Sequence, residues 1–264
     1  MLSGGLRTKG IIKKSHVNMP LITVVTVVYN GKKTLEETIL SVINQTYSNV
    51  EFIIIDGAST DSTLDIIKKF SEKIDYWLSE PDEGIYCAMN KGINLASGDY
   101  IALLNSDDSF EDYVCQTVVD EILKGKKYDV YHAIARVIDN KKNTLYLHGS
   151  TSNNISRQSV AHQSCFISKA VYKCEKYNIV MRSASDYDFI IRLVQKKIKF
   201  KFIEKIFVNY RLQGMSDSFL GQLETLNIKR KYRFISFKYF IIHKIYLLCM
   251  TFIEQARKGY NVKK

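Results

Sequence analysis

With 264 residues, 46% of them hydrophobic, the chain is long enough for one large domain or two small ones and can bury a sizeable core. Lys and Arg number 38 against 27 Asp and Glu, a formal +11, yet residues 1–19 contribute +4 and residues 228–264 contribute +9, leaving −2 for the body between them. A weakly acidic body argues against a nucleic-acid-binding core, and five widely spaced cysteines with no C-x-x-C pair argue against a disulfide framework or a zinc knuckle.

Residues 1–19 are polar and basic without helical or strand period, so a disordered basic leader is expected there. Leu21–Val28 is a continuous, mostly β-branched run, the pattern of a strand buried on both faces. It is too short for a secretion signal, which points to the reducing cytoplasm. Thr34-x-x-Glu37 has the form of a capping box, followed by Leu35, Ile39, Leu40, Val42 and Ile43 on roughly one helical face. Glu51–Asp56 predicts a second strand ending at Gly57, and Asp61 or Ser62 can cap the next helix. Tyr76–Ser79 predicts a third strand, Ile85–Leu95 a helix and Tyr100–Leu104 a fourth strand that runs into Asn105-Ser106-Asp107-Asp108. Such βα alternation implies a mostly parallel sheet with right-handed crossovers, and such sheets bind ligands beyond the carboxyl ends of their strands. Tyr29-Asn30, Asp56 and Asp107-Asp108 all fall on that edge.

The second half is less regular. Tyr128–Val137 with Asn143–His148 predicts a hairpin, Gln163–Ser168 a short strand, Asp186–Val194 a helix with two carboxylates in its first turn, and Phe200–Tyr210 a strand. Ile228–Arg257 interleaves aromatics with Lys and Arg at helical spacing; the apolar stretch Phe234–Ile253 is interrupted by Lys238, His243 and Lys244 and is expected to lie on a membrane rather than cross it.

The Asp107-Asp108 pair offers hard oxygen ligands for Mg²⁺ or Mn²⁺ shared with substrate phosphates, although an acidic pair after a strand can equally make a turn. A dinucleotide fold would place G-x-G-x-x-G where this chain has Tyr29-Asn30-Gly31-Lys32-Lys33, and no P-loop motif is present. Phosphates would therefore be held by a cation. Asp186, at a helix start, suits either a general base or a helix cap. His162, alone before an apolar strand, reads most simply as a hydrogen-bonded structural residue.

Read together, VVTVVYN (Val24–Asn30), IIIDGASTDST (Ile53–Thr63), EPDEGIYCAMNKGI (Glu80–Ile93), ASGDYIALLNSDD (Ala96–Asp108), AHQSCF (Ala161–Phe166) and SDYDFIIRL (Ser185–Leu193) resemble the family 2 glycosyltransferases of the GT-A fold, in order, over about residues 20–218. The nearest branch is that of bacterial O-antigen and capsule biosynthesis. The resemblance implies an α/β fold with a Rossmann-like nucleotide half (about 20–112), an acceptor half (about 113–218) and a basic helical tail (219–264). It implies that Val27 and Tyr29 flank a nucleotide base, normally uridine, that Asp56 binds the base edge, that Asp107 lies near the ribose and that Asp108 holds the metal. Asp186 matches the catalytic base, with Ser185 in place of the family's Glu and Asp188 as an alternative base; Asp82, Asn90, Lys91 and His162 are donor- or acceptor-binding candidates. The branch often reads GIYDAMNKG where this chain has Cys87, which leaves donor and acceptor details open.

The expected activity is inverting, metal-dependent transfer from a nucleotide sugar to a polyprenyl-diphosphate-linked saccharide, with the basic tail on the anionic inner face of the cell membrane or joining copies into a homo-oligomer. The rival class is a non-catalytic, membrane-associated subunit that binds nucleotide sugars. No nucleic acid is expected as a partner.

Overall fold

A computed structural model describes residues 1–139, 144–151, 160–212 and 218–261. In chain order the strands are β1 (Leu2–Gly4), β2 (Ile22–Val28), β3 (Val50–Asp56), β4 (Tyr76–Ser79), β5 (Tyr100–Asn105), β6 (Ser109–Phe110), β7 (Val130–Asp139), β8 (Thr144–His148), β9 (Phe166–Ser168) and β10 (Phe200–Arg211). The helices are α1 (Leu35–Ile43), α2 (Thr63–Lys69), α3 (Ile85–Leu95), α4 (Val114–Leu123), α5 (Lys169–Cys174), α6 (Ser185–Gln195), α7 (Phe219–Lys231) and α8 (Phe237–Asn261). Among the described residues they build one sheet in the order β1-β4-β3-β2-β5-β9-β7-β10-β6, with β8 paired to β7.

The four strands β4, β3, β2 and β5 are parallel, and β2 pairs with β3 on one side and β5 on the other. The chain winds from β2 outward to β4 and then returns past β2 to β5, so the strand order reverses between β2 and β5. That reversal opens a crevice at their carboxyl ends. Both faces of these strands are covered, which is why their sequences are apolar without alternation. Ile22, Val24, Phe52 and Ile54 pack with Leu35, Ile39, Ile67 and Val114 on one side. Val25, Val27, Ile53 and Ile55 pack with Met89, Ile93, Phe189 and Leu193 on the other. Gly92 lets α3 lie close on β2: a Cβ there would stand 2.2 Å from Val25 Cγ1.

The predicted hairpin forms as antiparallel β7 and β8, and β10 runs parallel to β7. Residues 140–143, which include Asn143, the first residue of the predicted second hairpin strand, lie outside the described residues. The segment expected as a strand from Gln163 begins instead as a short 3₁₀ turn, His162–Ser164, and becomes strand only at Phe166. The Thr34 side chain makes no cap bond to α1, so the expected capping box does not form; Glu37 instead receives the Arg211 guanidinium.

Two expectations at the ends of the chain are corrected. Residues 1–19 are not a free leader: β1 adds an antiparallel edge to β4, and Arg7 pairs with the buried Glu51 while donating to Leu95 O at 2.8 Å. Lys13 pairs with the buried Asp75 at 3.0 Å. Two carboxylates removed from water need cations, and the basic N-terminal segment supplies both. Likewise α7, expected within the basic helical tail, belongs to the body, because its Leu226 and Ile228 are buried and Ile228 packs with Ala184, Tyr187 and Ile191.

Candidate active site

The crevice at the β2–β5 reversal is a cavity of about 740 Å³ lined from the nucleotide half by Val27, Tyr29, Asp82 and Asp107, and from the second half by His162 and Asp186. Its floor is fixed by the loops after β2 and β3, which are knitted together: Asn30 N–H donates to Ser59 Oγ at 2.8 Å, and Thr60 N–H donates to Asn30 Oδ1 at 2.8 Å. Asn30 takes a left-handed conformation at φ 53°, a geometry that Asn tolerates better than most side chains. The residues of DGASTDST thus support the first loop.

Asp107 faces the cavity, whereas Asp108 is wholly buried behind it. Asp108 Oδ1 accepts the Arg211 backbone N–H at 3.1 Å, and Oδ2 is buried without a hydrogen-bond partner. The Arg211 side chain donates to Asp107 O at 3.0 Å and to both Glu37 carboxylate oxygens at 2.7 Å, which ties the end of β10 over the acidic loop. Burial pushes the Asp108 carboxyl well above the ordinary carboxylate range, and the adjacent Asp107 adds to the rise. Burial also raises Asp107, opposed by Arg211. A buried carboxylate with an orphaned oxygen fits a divalent cation chemically. Among the described residues no three His, Cys, Asp or Glu side chains form a ready-made metal cage.

Asp56 is placed differently from its expected role. Its carboxylate is wholly buried and accepts from Ser59 N–H and Oγ and, at 2.6 Å, from Ser79 Oγ. It does not line the cavity. Asn90 and Lys91 are likewise outside the cavity. Asn90 exchanges two hydrogen bonds with the Tyr177 backbone, at 2.9 and 3.0 Å, and Lys91 pairs with Glu80. Asp82 remains at the cavity, its Oδ1 accepting Gly84 N–H at 2.8 Å.

From the second half α6 presents Asp186 to the cavity, its side chain 25% exposed. His162 Nδ1 lies 2.8 Å from Asp186 Oδ2, and the Tyr86 hydroxyl donates to Oδ1 at 3.1 Å. Burial works to raise the Asp186 carboxyl, but His162, the Tyr187 N–H and Tyr86 outweigh it and hold the group below the ordinary range. Asp186 is therefore an ionised carboxylate facing the cavity. The alternative base, Asp188, is turned away from the cavity: it is buried among Arg192 Nε, Lys231 Nζ and the Tyr232 hydroxyl, each at 2.9 Å, and does not line the cavity. Two site residues were not singled out from the sequence. Tyr86 belongs to the GIYCAMNKGI motif, and Arg211 lies one residue beyond the strand predicted over Phe200–Tyr210.

A family model described as Glycosyl transferase family 2 matches residues 23–187. The chain is 29% identical over 234 residues to the hyaluronan synthase of Pasteurella multocida, covering 85% of this chain but only 23% of the synthase. It is 35% identical over 182 residues to an uncharacterized glycosyltransferase of Mycobacterium tuberculosis, covering 66% of this chain and 68% of that one. Among solved structures, S. aureus TarS 1-349 in complex with UDP-GlcNAc superposes with a TM-score of 0.65 at 17% identity, over 80% of this chain and 64% of TarS 1-349, a likeness of fold. Since the family model spans more than half the residues, and one cavity at the sheet reversal is lined by both Asp107 and Asp186, the chain belongs to glycosyltransferase family 2 and has the GT-A fold.

Proposed function

We propose that the chain transfers a sugar, with inversion, from a nucleoside-diphosphate sugar to a hydroxyl of a lipid-linked saccharide. The observation that carries this reading is that Asp107 and the ionised Asp186 line one cavity. Val27 and Tyr29, which line the cavity, would flank the base, and uridine is favoured by the family resemblance and by the UDP-GlcNAc named in the TarS structure. Asp108 would hold Mg²⁺ or Mn²⁺, with Asp107 near the ribose, and the cation would neutralise charge on the diphosphate. Asp186 accepts the acceptor hydroxyl proton as the new O–C bond forms, and the C–O bond to the diphosphate breaks with its electron pair leaving on the nucleotide. A role in cell-surface polysaccharide synthesis is supported by the hyaluronan and chondroitin synthases among the relatives.

The basic C-terminal segment would bring this site to an anionic membrane surface, each nearby Lys or Arg contributing about 1 kcal/mol. No described helix is long and apolar enough to cross a membrane. A panel of nucleotide sugars in thermal shift, with and without Mn²⁺, tests the donor and the metal together. A UDP-sugar should raise the midpoint only with the cation. Asp108→Asn should lose that shift and transfer alike. Asp186→Asn should keep the shift and slow transfer by about 10²–10⁴-fold. Wild-type turnover by Asp108→Asn in EDTA would overturn the metal assignment, and undiminished turnover by Asp186→Asn would overturn the base.

A further inference from the structure

Asp186 does not meet the cavity alone. An ionised carboxylate only accepts hydrogen bonds, so His162 Nδ1, at 2.8 Å from Oδ2, must carry the hydrogen it donates. His162 Nε2 is buried without a partner. The ring is anchored in a short turn closed by Ser164 N–H and Cys165 N–H, which donate to Ala161 O and His162 O at 3.0 Å. Its side chain is 13% exposed against 25% for Asp186, so the carboxylate, not the imidazole, is the group presented to a hydroxyl in the cavity.

We propose that His162 is a positioning residue for Asp186, its Nδ1–H fixing one carboxylate oxygen while the Tyr86 hydroxyl fixes the other, so that the carboxylate stays ionised and aimed at the acceptor. The inference rests on the reading of Asp186 as the base. Other groups near Asp186 leave this role to His162. Tyr177 and Cys165 contribute a phenol and a thiol that burial pushes upward and keeps neutral. The Arg182 guanidinium, which also lines the cavity, donates to Glu83 O at 2.8 Å. Asp82, Asp107, His148 and Arg211 line the same cavity, but Asp82 is turned to Gly84 N–H and Arg211 to Glu37. On α6 itself, Asp188 is turned into its own cluster with Arg192 and Lys231.

Removing the donor should make Asp186 easier to protonate, so the acidic limb of the kcat–pH profile should move to higher pH. With Mn²⁺, a soluble acceptor analogue and the UDP-sugar giving the largest thermal shift, His162→Leu should raise that limb by about one pH unit. His162→Asn, which can restore an N–H near the Nδ1 position, should return it toward wild type. Tyr86→Phe, which deletes only a hydroxyl, should move it the same way by less, and serves if His162→Leu does not fold. A residue that merely packs would lower the rate equally at every pH, and an unmoved limb in the folded variants would overturn the proposal. If Asp186→Asn is inactive and the limb stays put, the positioning role fails and the base stands; if Asp186→Asn is active, the base reading fails first. Independently of turnover, ¹⁵N spectra of histidine-labelled protein should show His162 carrying hydrogen on Nδ1, and a neutral ring with hydrogen on Nε2 alone would also overturn it.

Discussion

At the scale of the residue, the most informative pair is Asp186 and Asp188. Residues two apart on an α-helix point about 200° away from each other, so one helix turn cannot present both carboxylates to the same cavity. That exclusion was legible in SDYDFIIRL before any fold was known; which of the two faced the cavity was not. Asp188 chose the other side because Lys231 and Tyr232, from the end of α7, meet it there. Asp188→Asn should therefore leave turnover within about threefold of wild type and lower unfolding free energy by about 1–3 kcal/mol, less than for a fully buried pair because Lys231 is 55% exposed. Its partners hold the Asp188 carboxyl below the ordinary range, so this stabilisation is present above the unfolded value and is lost as pH falls through the folded one. Urea unfolding together with initial rates checks both halves, and a catalytic collapse with unchanged stability would return Asp188 to the chemistry.

At the scale of the element, β7 and β10 enclose a histidine that the site does not use. His132 stands opposite Phe202 in register, its ring within 5.8 Å of Phe200 and 5.3 Å of Phe202, with neither ring nitrogen hydrogen-bonded. Burial pushes it down from 6.5 to about 4. Between those values the unfolded chain binds a proton that the fold refuses, so stability rises with pH across this window and is lost on acidification. The loss is roughly 3 kcal/mol by pH 4. His132→Phe keeps an aromatic ring in an aromatic pocket and removes the titration; it should flatten the fall in unfolding free energy between pH 7 and 4.5, measured in urea, without lowering stability at pH 7 by more than about 1 kcal/mol. An equally steep fall in the variant would assign the acid sensitivity to other groups. The N-terminal segment teaches a related lesson. A three-residue strand and one 3₁₀ turn have no periodicity to read, and their order depends on Arg7 and Lys13 meeting Glu51 and Asp75.

At the scale of the whole molecule, α7 is bound into the catalytic body, and α8 packs against α7, with Arg230 over the Phe237 ring at 5.4 Å, while Phe237, Ile241, Ile245 and Leu248 stay exposed on one side and Ile242 and Tyr246 on another. Apolar exposure around so much of a helix suits insertion into a lipid surface or a contact with a second copy. Truncation after Ile235, which spares Tyr232 and Phe234, should retain the fold and the UDP-sugar thermal shift, abolish sedimentation with anionic vesicles, and reduce transfer to a lipid-linked acceptor more than to a soluble analogue. Continued sedimentation in low salt would place the membrane contact elsewhere, and a halved mass in light scattering would make α8 a subunit contact. The sequence by itself determined the alternation of buried strands and helices, because a strand covered on both faces must be apolar throughout, and it placed Tyr29 and Asp107 at the strand ends, because position along a βα unit is local. Only the tertiary structure decided which charges face the cavity and which are neutralised inside. Arg211 and Glu37 are 174 residues apart, Asp56 is enclosed by hydroxyls from Ser59 and Ser79, and His162 reaches Asp186 from a different element. Periodicity fixes the face on which a side chain emerges, whereas the partner it finds there depends on strand order and crossover, which bring distant segments within hydrogen-bonding distance only once the chain has folded.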